Sequence, residues 1–188
     1  MKADSAPTQQ NTLLEEGGRS YPKAMLALSQ FREMVQDACI AAMKRSLPEL
    51  IAALGLQLKS GQVKPYAAPD KPGPGETDGT WAELGAMLKN PGGARCTLYN
   101  YISWEDAPLL RVIVSILFVD AGIAERTWAA VRDHGTLKKD KDENEINSSR
   151  RIDAAGLASL PSTLDEMNTE WIQLWKGVGG VKQFLEKR

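Results

Sequence analysis

The alternation of apolar and polar positions is clearest in the middle of the chain. Two runs, Arg95 to Trp104 and Leu109 to Val119, have the pattern of β-strands, and the turn-forming stretch Glu105-Asp106-Ala107-Pro108 separates them. Two strands joined by so short a connection pair most naturally as an antiparallel hairpin. The sequence therefore predicts a β-hairpin at the centre of the fold.

The register of this hairpin decides which side chains share a face. If the connection has an odd number of residues, Asn100 is the one exception on an otherwise apolar face, made of Cys96, Leu98, Ile102, Trp104, Leu110, Val112, Val114, Ile116 and Phe118. An even connection would mix Arg111 and Ser115 into the face of Leu98 and Ile102, which buries polar groups. We therefore expect the odd register, for example with a loop from Glu105 to Ala107, unless a β-bulge shifts the pairing.

The opposite face of the hairpin is mixed in character. It combines aromatic rings, hydroxyls and a guanidinium, which suits a protein partner because Tyr and Arg give large contact areas with directed hydrogen bonds. The predicted partner-binding residues are Tyr99, Tyr101, Ser103, Arg111, Ile113 and Ser115. The alternative is that a helix covers this face, and the segment with Trp171 and Trp175 is the candidate.

Helical periodicity marks the N-terminal part of the chain. Ser20-Tyr21-Pro22 is typical of a helix start, and an apolar stripe follows at Leu28, Phe31, Val35, Ala38 and Ala42. Pro48 should interrupt the helix. A short new helix capped by Ser46 and Glu49 would then end at Gly55.

The middle of the chain predicts three further segments. Leu56 to Tyr66 is expected to form a strand or a short hairpin, and Ala67 to Gly79 an exposed loop rich in proline and glycine. Thr80 and Glu83 have the spacing of a capping box. They predict a short helix with Trp81, Leu84 and Leu88 on one side, ended by Asn90-Pro91-Gly92-Gly93.

The C-terminal third predicts two helices and a short strand. A helix should run from Asp120–Gly122 through Trp128 and Val131 to Gly135, followed by a solvated charged loop, Lys138 to Glu145. A short strand is expected near Ile152. Ser162 and Asp165 would cap the last helix, which carries Leu164, Met167, Trp171, Leu174 and Trp175, breaks at Gly177–Gly180 and leads to a final turn with Val181, Phe184 and Leu185.

Together these elements predict an α+β fold. A small, mainly antiparallel sheet centred on the 95–119 hairpin would be packed by N-terminal, middle and C-terminal helices. The polar and weakly patterned residues 1–19 are expected to form a mobile tail, and residues 20–188 a single α+β domain.

Charge and composition narrow the class of partner. The net charge is -1 with interspersed signs, so we expect no nucleic-acid partner. The longest apolar run, Val112 to Val119, is too short to cross a bilayer, and no export signal follows Lys2. Cys39 and Cys96 are expected to be small core residues in a reducing compartment, which predicts a soluble cytoplasmic protein without membrane contact.

Motifs for catalysis are missing from the sequence. It contains no phosphate-binding glycine loop, no dinucleotide fingerprint and no nucleophile elbow. His134, the only histidine, is expected at a helix C-terminus, where it complements the dipole. Glu105, Asp106 and Asp120 could serve a magnesium site, but an antiparallel hairpin keeps the first two a strand length from Asp120. We therefore predict no cofactor, no metal site and no catalytic residue.

One resemblance concerns topology alone. The predicted order of helix, three strands, helix and strand resembles the core of restriction-endonuclease-like nucleases, which place a Glu-x-Lys type pair on the third strand. Here that strand reads Arg111-Val112-Ile113-Val114-Ser115 and lacks the pair, while Gln57-Leu58-Lys59 imitates it on another strand. The resemblance covers about half of the chain and implies no catalytic residues.

These patterns favour a non-catalytic protein-binding module of the adaptor, chaperone-like or inhibitor type. Its partner would be another protein or a second copy of the chain, and we expect self-association, for which a homodimer is one form. The alternative is a metal-dependent hydrolase, or a degenerate nuclease-like protein, that uses dispersed carboxylates.

Overall fold

The computed structural model describes residues 7–57, 62–69, 81–104, 109–134, 136–140 and 143–185. Within them lie four helices and six strands, so the predicted α+β class is confirmed. The helices are α1 (Pro7–Ala53), α2 (Ala121–Val131), α3 (Leu160–Gly177) and α4 (Lys182–Leu185). The strands are β1 (Lys64–Pro69), β2 (Trp81–Lys89), β3 (Cys96–Ser103), β4 (Leu110–Phe118), β5 (Leu137–Lys139) and β6 (Glu145–Ile152).

All six strands form one sheet in the order β1-β2-β3-β4-β6-β5, and every neighbouring pair is antiparallel. The predicted hairpin of β3 and β4 occupies the middle of this sheet. Two short 3-10 turns, Pro91–Gly93 and Ala155–Ser159, connect β2 to β3 and β6 to α3. The prediction of a small antiparallel sheet centred on the hairpin is therefore correct.

The predicted register of the hairpin is also correct. Leu98 lies opposite Ile116, and Ile102 lies opposite Val112, so paired positions have the same parity. The apolar face is buried as expected except for Trp104, which is half-buried, and Asn100 on this face is 1% exposed. The predicted loop at residues 105–107 lies outside the described residues, but a register that runs without a shift over eight residue pairs fixes both faces.

Helices α2 and α3 pack on this apolar face, which we call the core face. The even-numbered residues of β6 lie on the core face and contact α3. The Trp171 indole donates a hydrogen bond to the Ser148 hydroxyl at 2.7 Å, and the Arg150 guanidinium binds two glutamates of α3. Lys139 of β5, also on the core face, pairs with Glu125 of α2. The alternative that the Trp171 helix covers the opposite face is therefore wrong.

The chain divides into two compact units, Met1–Met34 and Val35–Arg188. In the second unit the end of α1 contributes Val35, Cys39, Ala42 and Met43 to the core, and the Val181 N–H donates to the Leu54 carbonyl. In the first unit the described residues are helical, and every residue from Glu16 to Gln30 is exposed. The expected boundary near residue 19 and the mobility of the tail stay predictions.

Four predictions about the helices are wrong. The first helix begins at Pro7 rather than Ser20, and it continues through Pro48 to Ala53. The predicted helix after Thr80 is strand β2, whose Leu84, Ala86 and Leu88 alternate onto the core face. The last helix begins at Leu160 without a side-chain cap, because the Ser162 hydroxyl donates back to the Ser159 carbonyl.

Two predicted loops also contain strand residues. The charged stretch 138–145 includes the end of β5 and the start of β6, which runs for eight residues rather than a short strand near Ile152. Ala67 to Pro69 belong to β1, whereas the rest of that predicted loop, residues 70–79, lies outside the described residues. Residues 58–61 and Gly135 are also outside them, and the helix expected before Gly135 is present as α2. The described residues run helix, four strands, helix, two strands and two helices, which is not the order that resembled the nuclease core.

Candidate binding surfaces

The face of the sheet opposite α2 and α3 carries three tyrosines, and we call it the tyrosine face. Tyr101 on β3 lies between Gly85 on β2 and Ile113 on β4, and Tyr66 on β1 lies on the other side of Gly85. A Cβ atom at Gly85 would lie 2.1 Å from the Asn100 carbonyl oxygen. Glycine is therefore required at this position, and it leaves Tyr66 and Tyr101 with no side chain between them.

The three rings form one cluster. Tyr66 packs edge-on against Tyr99 and Tyr101 with ring centroids 4.9 and 5.7 Å apart, and Tyr99 and Tyr101 are 6.2 Å apart. Such edge-to-face pairs stabilise beyond the area that they bury. The rings fill the space between them, so the cluster is a packed assembly rather than an open aromatic cage.

Two of the tyrosine hydroxyls bind carboxyl groups. The Tyr66 hydroxyl donates to Glu83 Oε2 at 2.5 Å, and the Tyr101 hydroxyl donates to Glu145 Oε1 at 3.3 Å. Burial, together with the neighbouring carboxylates, raises the pKa of Tyr66 and of Tyr101 above the usual tyrosine value. Both phenols therefore stay protonated and act as hydrogen-bond donors.

The Glu145 carboxyl in this cluster has a raised pKa. Glu145 is 8% exposed, and this burial raises the pKa of its carboxyl group to about 7. The negative charges of Glu143 and Glu83 act in the same direction, whereas the hydrogen bond from Tyr101 opposes them. The carboxyl can hold or release a proton in this range.

The structure brings all six predicted partner-binding residues together on the tyrosine face, as the cross-strand pairs Tyr99–Ser115, Tyr101–Ile113 and Ser103–Arg111. Tyr101, Ser103, Ile113 and Ser115 are 6% exposed or less, while Tyr99 and Arg111 are half-buried. Contact of this face with a partner stays a prediction that rests on Tyr99 and Arg111.

Sequence reasoning missed Tyr66, Glu83 and Glu145, which lie on β1, β2 and β6. Recognition of the period-two pattern of Leu84, Ala86 and Leu88 would have put Glu83 on the tyrosine face. Nothing local marks Tyr66 or Glu145 as members, because their positions depend on strand pairing.

The residues considered as catalytic or metal-binding candidates are not grouped into one site among the described residues. The Asp120 carboxylate accepts the Ile123 N–H at 3.0 Å and so caps α2. Glu105 and Asp106 lie outside the described residues, and His134 is exposed in the turn after α2. Cys39 and Cys96 are free and buried, and burial raises the pKa of each thiol to about 12. Over the described ranges, no three His, Cys, Asp or Glu side chains are grouped to hold a metal ion.

The second candidate surface is on α1. Around a helix with 3.6 residues per turn, Tyr21, Ala24 and Met25 lie within about 60° of Leu28. We call these four residues the helical stripe. Tyr21 is 66% exposed, Met25 48% and Leu28 62%. Leu26 is 60% exposed but lies about 160° around the axis, among Arg19, Lys23 and Glu33.

No protein-family model matches this chain, and neither a curated protein nor a solved structure is significantly similar to it. Among the helices of the described residues, none has the length and hydropathy needed to cross a membrane. The geometry of the two surfaces is therefore the basis for the functional proposals below.

Proposed function

We propose that this chain is a non-catalytic protein-binding module and that the helical stripe is its docking surface. The observation that carries the proposal is the exposure of fifteen consecutive helical residues, Glu16 to Gln30, which include Tyr21, Met25 and Leu28. Exposed apolar side chains grouped on one side of a helix are typical of a helix that binds in a groove or pairs with another helix.

The composition of this segment supports the need for a partner. Gly17 and Gly18 stand in the helix with no neighbouring atom within 4 Å of the place that a β-carbon would take, and Pro22 follows four residues later. Glycine and proline both lower helix stability, and a helix in a protein gains most of its stability from packing of an apolar side. Burial of the stripe against a partner supplies that stabilisation.

A metal-dependent hydrolase is the weaker alternative. It would use Glu105, Asp106 and Asp120, but the Asp120 carboxylate is engaged as the cap of α2. A carboxylate that accepts a backbone N–H retains lone pairs for a metal, yet its position is set by the helix that it caps. The two buried free thiols support our further proposal that the protein works in a reducing compartment such as the cytoplasm.

The test compares two leucines of similar exposure. Wild-type, Leu28→Glu and Leu26→Glu chains are immobilised, and binding of cell proteins and of untagged copies of the chain is measured on each. We expect saturable binding to the wild type and to Leu26→Glu, and at least tenfold weaker binding to Leu28→Glu. Equal binding to all three chains, or no saturable binding to any, would overturn the proposal.

A further inference from the structure

We infer that the Glu145 carboxyl is a pH-sensitive switch for the edge of the sheet. The protonated carboxyl lets β5 stay paired with β6, and loss of the proton opens this pairing while the central strands stay paired. The switch lies in the sheet, and it does not involve the helical stripe.

Glu145 combines burial with the lack of a cationic partner. The residue is 8% exposed, and its carboxyl accepts a hydrogen bond from the Tyr101 hydroxyl at 3.3 Å. Among the described residues, no lysine or arginine forms an ion pair with this carboxyl. Burial of a charge without a counter-charge is costly, so the neutral carboxylic acid is the favoured form in this position.

The acidic groups near Glu145 also act against its charged form. Glu83 on β2 and Glu143, two residues before Glu145, both repel a carboxylate there. The Asp140 carboxylate is close by in sequence and accepts the Glu143 N–H at 3.3 Å. The other polar groups that face Glu145 are neutral, because burial keeps the phenols protonated; they are the hydroxyls of Tyr66, Tyr99, Tyr101 and Ser115.

The cations of the tyrosine face do not compensate these carboxylates at Glu145. Lys138 on β5 lies on the same face, opposite Asn147, but it is exposed and forms no ion pair with Glu145 among the described residues. The backbones of the other described cations of this face lie about 14 Å away or more by strand spacing and residue rise. These are Lys64, Lys89, Arg111 and Arg151.

Glu145 is also the residue at which β5 and β6 are held together. It is the first residue of β6, and its carbonyl accepts the Asp140 N–H at 3.0 Å directly after β5. The edge strand β5 pairs with β6 over three residue pairs, whereas β4 pairs with β6 over eight. A movement that brings the carboxylate to water therefore acts first on the β5–β6 pairing, because this is the weaker of the two.

The direction of the pH effect follows from the two forms. Burial raises the pKa of Glu145 to about 7, whereas an open form returns the carboxyl to its ordinary value of 4.5. The paired form is therefore most favoured below pH 4.5 and loses stability as the pH rises to about 7, above which no further change follows.

Amide hydrogen exchange on the full chain tests this switch. The probe is the Asp140 amide, whose exchange is divided by that of an unstructured chain at the same pH. Between pH 5 and pH 8 its protection should fall at least about tenfold in the wild type and in Glu33→Gln, which removes an exposed carboxyl, but less than about twofold in Glu145→Gln. Low concentrations of urea should leave this exchange unchanged, because a local opening exposes little surface, and should accelerate exchange in β3 and β4.

Two results would overturn the inference. An equal fall in Glu145→Gln would show that another group sets the pH dependence. Exchange of the Asp140 amide at the same rate and with the same urea dependence as the β3 and β4 amides would show that the edge opens only when the whole sheet unfolds.

Tyr101→Phe keeps the test decisive if Glu145→Gln does not fold. It removes a hydrogen bond that favours the carboxylate, so the pKa of Glu145 should rise further. The fall in protection of the Asp140 amide should then continue to a higher pH than in the wild type. A fall that ends at the same pH in both chains would contradict the role of Glu145.

Discussion

The Tyr101 hydroxyl on β3 donates a hydrogen bond to the buried Glu145 carboxylate on β6, across the intervening strand β4. This hydrogen bond connects β6, which lies next to the edge strand β5, to the central strand β3. Because Glu145 titrates near neutral pH, the contact also links the stability of the sheet to pH.

Glu145→Gln should reduce the pH dependence of stability. Burial raises the pKa of Glu145 from 4.5 to about 7, so the folded state holds a proton that the unfolded state has lost. The stabilisation is complete below pH 4.5 and is lost as the pH rises to about 7. The loss amounts to about 3 kcal/mol in the free energy of unfolding. Denaturant melts should show the variant close to wild type at pH 5 and more stable at pH 8.

The matched control for this prediction is Glu33→Gln, which removes an exposed carboxyl from α1. It should follow the wild type at every pH. A constant difference between Glu145→Gln and the wild type from pH 5 to pH 8 would contradict the account of the buried carboxyl.

Gly85→Ala should destabilise the sheet. The added methyl group would lie 2.1 Å from the Asn100 carbonyl oxygen and 2.5 Å from the Tyr101 Cα atom, and neither backbone atom can rotate away. Overpacking of this kind costs about 2 kcal/mol or more. Thermal melts should show the loss, while Gly17→Ala, with nothing within 4 Å of its β-carbon, should show none. Equal melting temperatures for the two variants would mean that β2 and β3 are not so close.

Tyr101→Ala should be much more harmful to stability than Tyr99→Ala. Tyr101 is 6% exposed and contacts both other rings of the cluster, whereas Tyr99 is half-buried. Loss of a buried aromatic ring costs about 3–5 kcal/mol, and the half-buried ring should cost about half as much. Chemical denaturation measures both. If Tyr101→Ala had little effect, this face would be an open surface of the kind that the sequence suggested.

The Cys39 and Cys96 thiols should not react with a thiol reagent in the folded protein. Burial raises the pKa of Cys39 and of Cys96 to about 12, so almost no reactive thiolate forms at pH 8. A thiol reagent that releases a coloured anion should detect neither cysteine in the native chain and both after denaturation. Rapid reaction of one native thiol would show that its segment opens.

The sequence predicted the centre of the fold better than its flanks. The hairpin register followed from parity, because a single shift would have moved Arg111 and Ser115 into the core. Strand β2 was mistaken for a helix because Leu84 and Leu88 are four residues apart, a spacing that fits either structure. Its Gly85 and Ala86 favour a strand only once the close approach of β3 is known.

The candidate surfaces were predictable to different degrees. Tyr99 and Tyr101 share a face by alternation alone, but their contact with Tyr66 requires the pairing of β1 with β2 and β2 with β3. Only the end of β6 near Ile152 was predicted, because Ser148 and Arg150 are polar on its core face, where α3 supplies their partners. The apolar stripe of α1 was visible in the sequence, whereas its exposure N-terminal to Val35 was not.

Binding to immobilised wild-type, Leu28→Glu and Leu26→Glu chains tests the central claim most directly. Both leucines are about equally exposed, at 62% and 60%, so the two substitutions differ mainly in the side of the helix that they charge. We predict saturable binding of a cell protein or of free copies of the chain to the wild type and to Leu26→Glu, and at least tenfold weaker binding to Leu28→Glu. Equal binding to all three chains, or no saturable binding to any, would contradict the claim that the helical stripe is the docking surface.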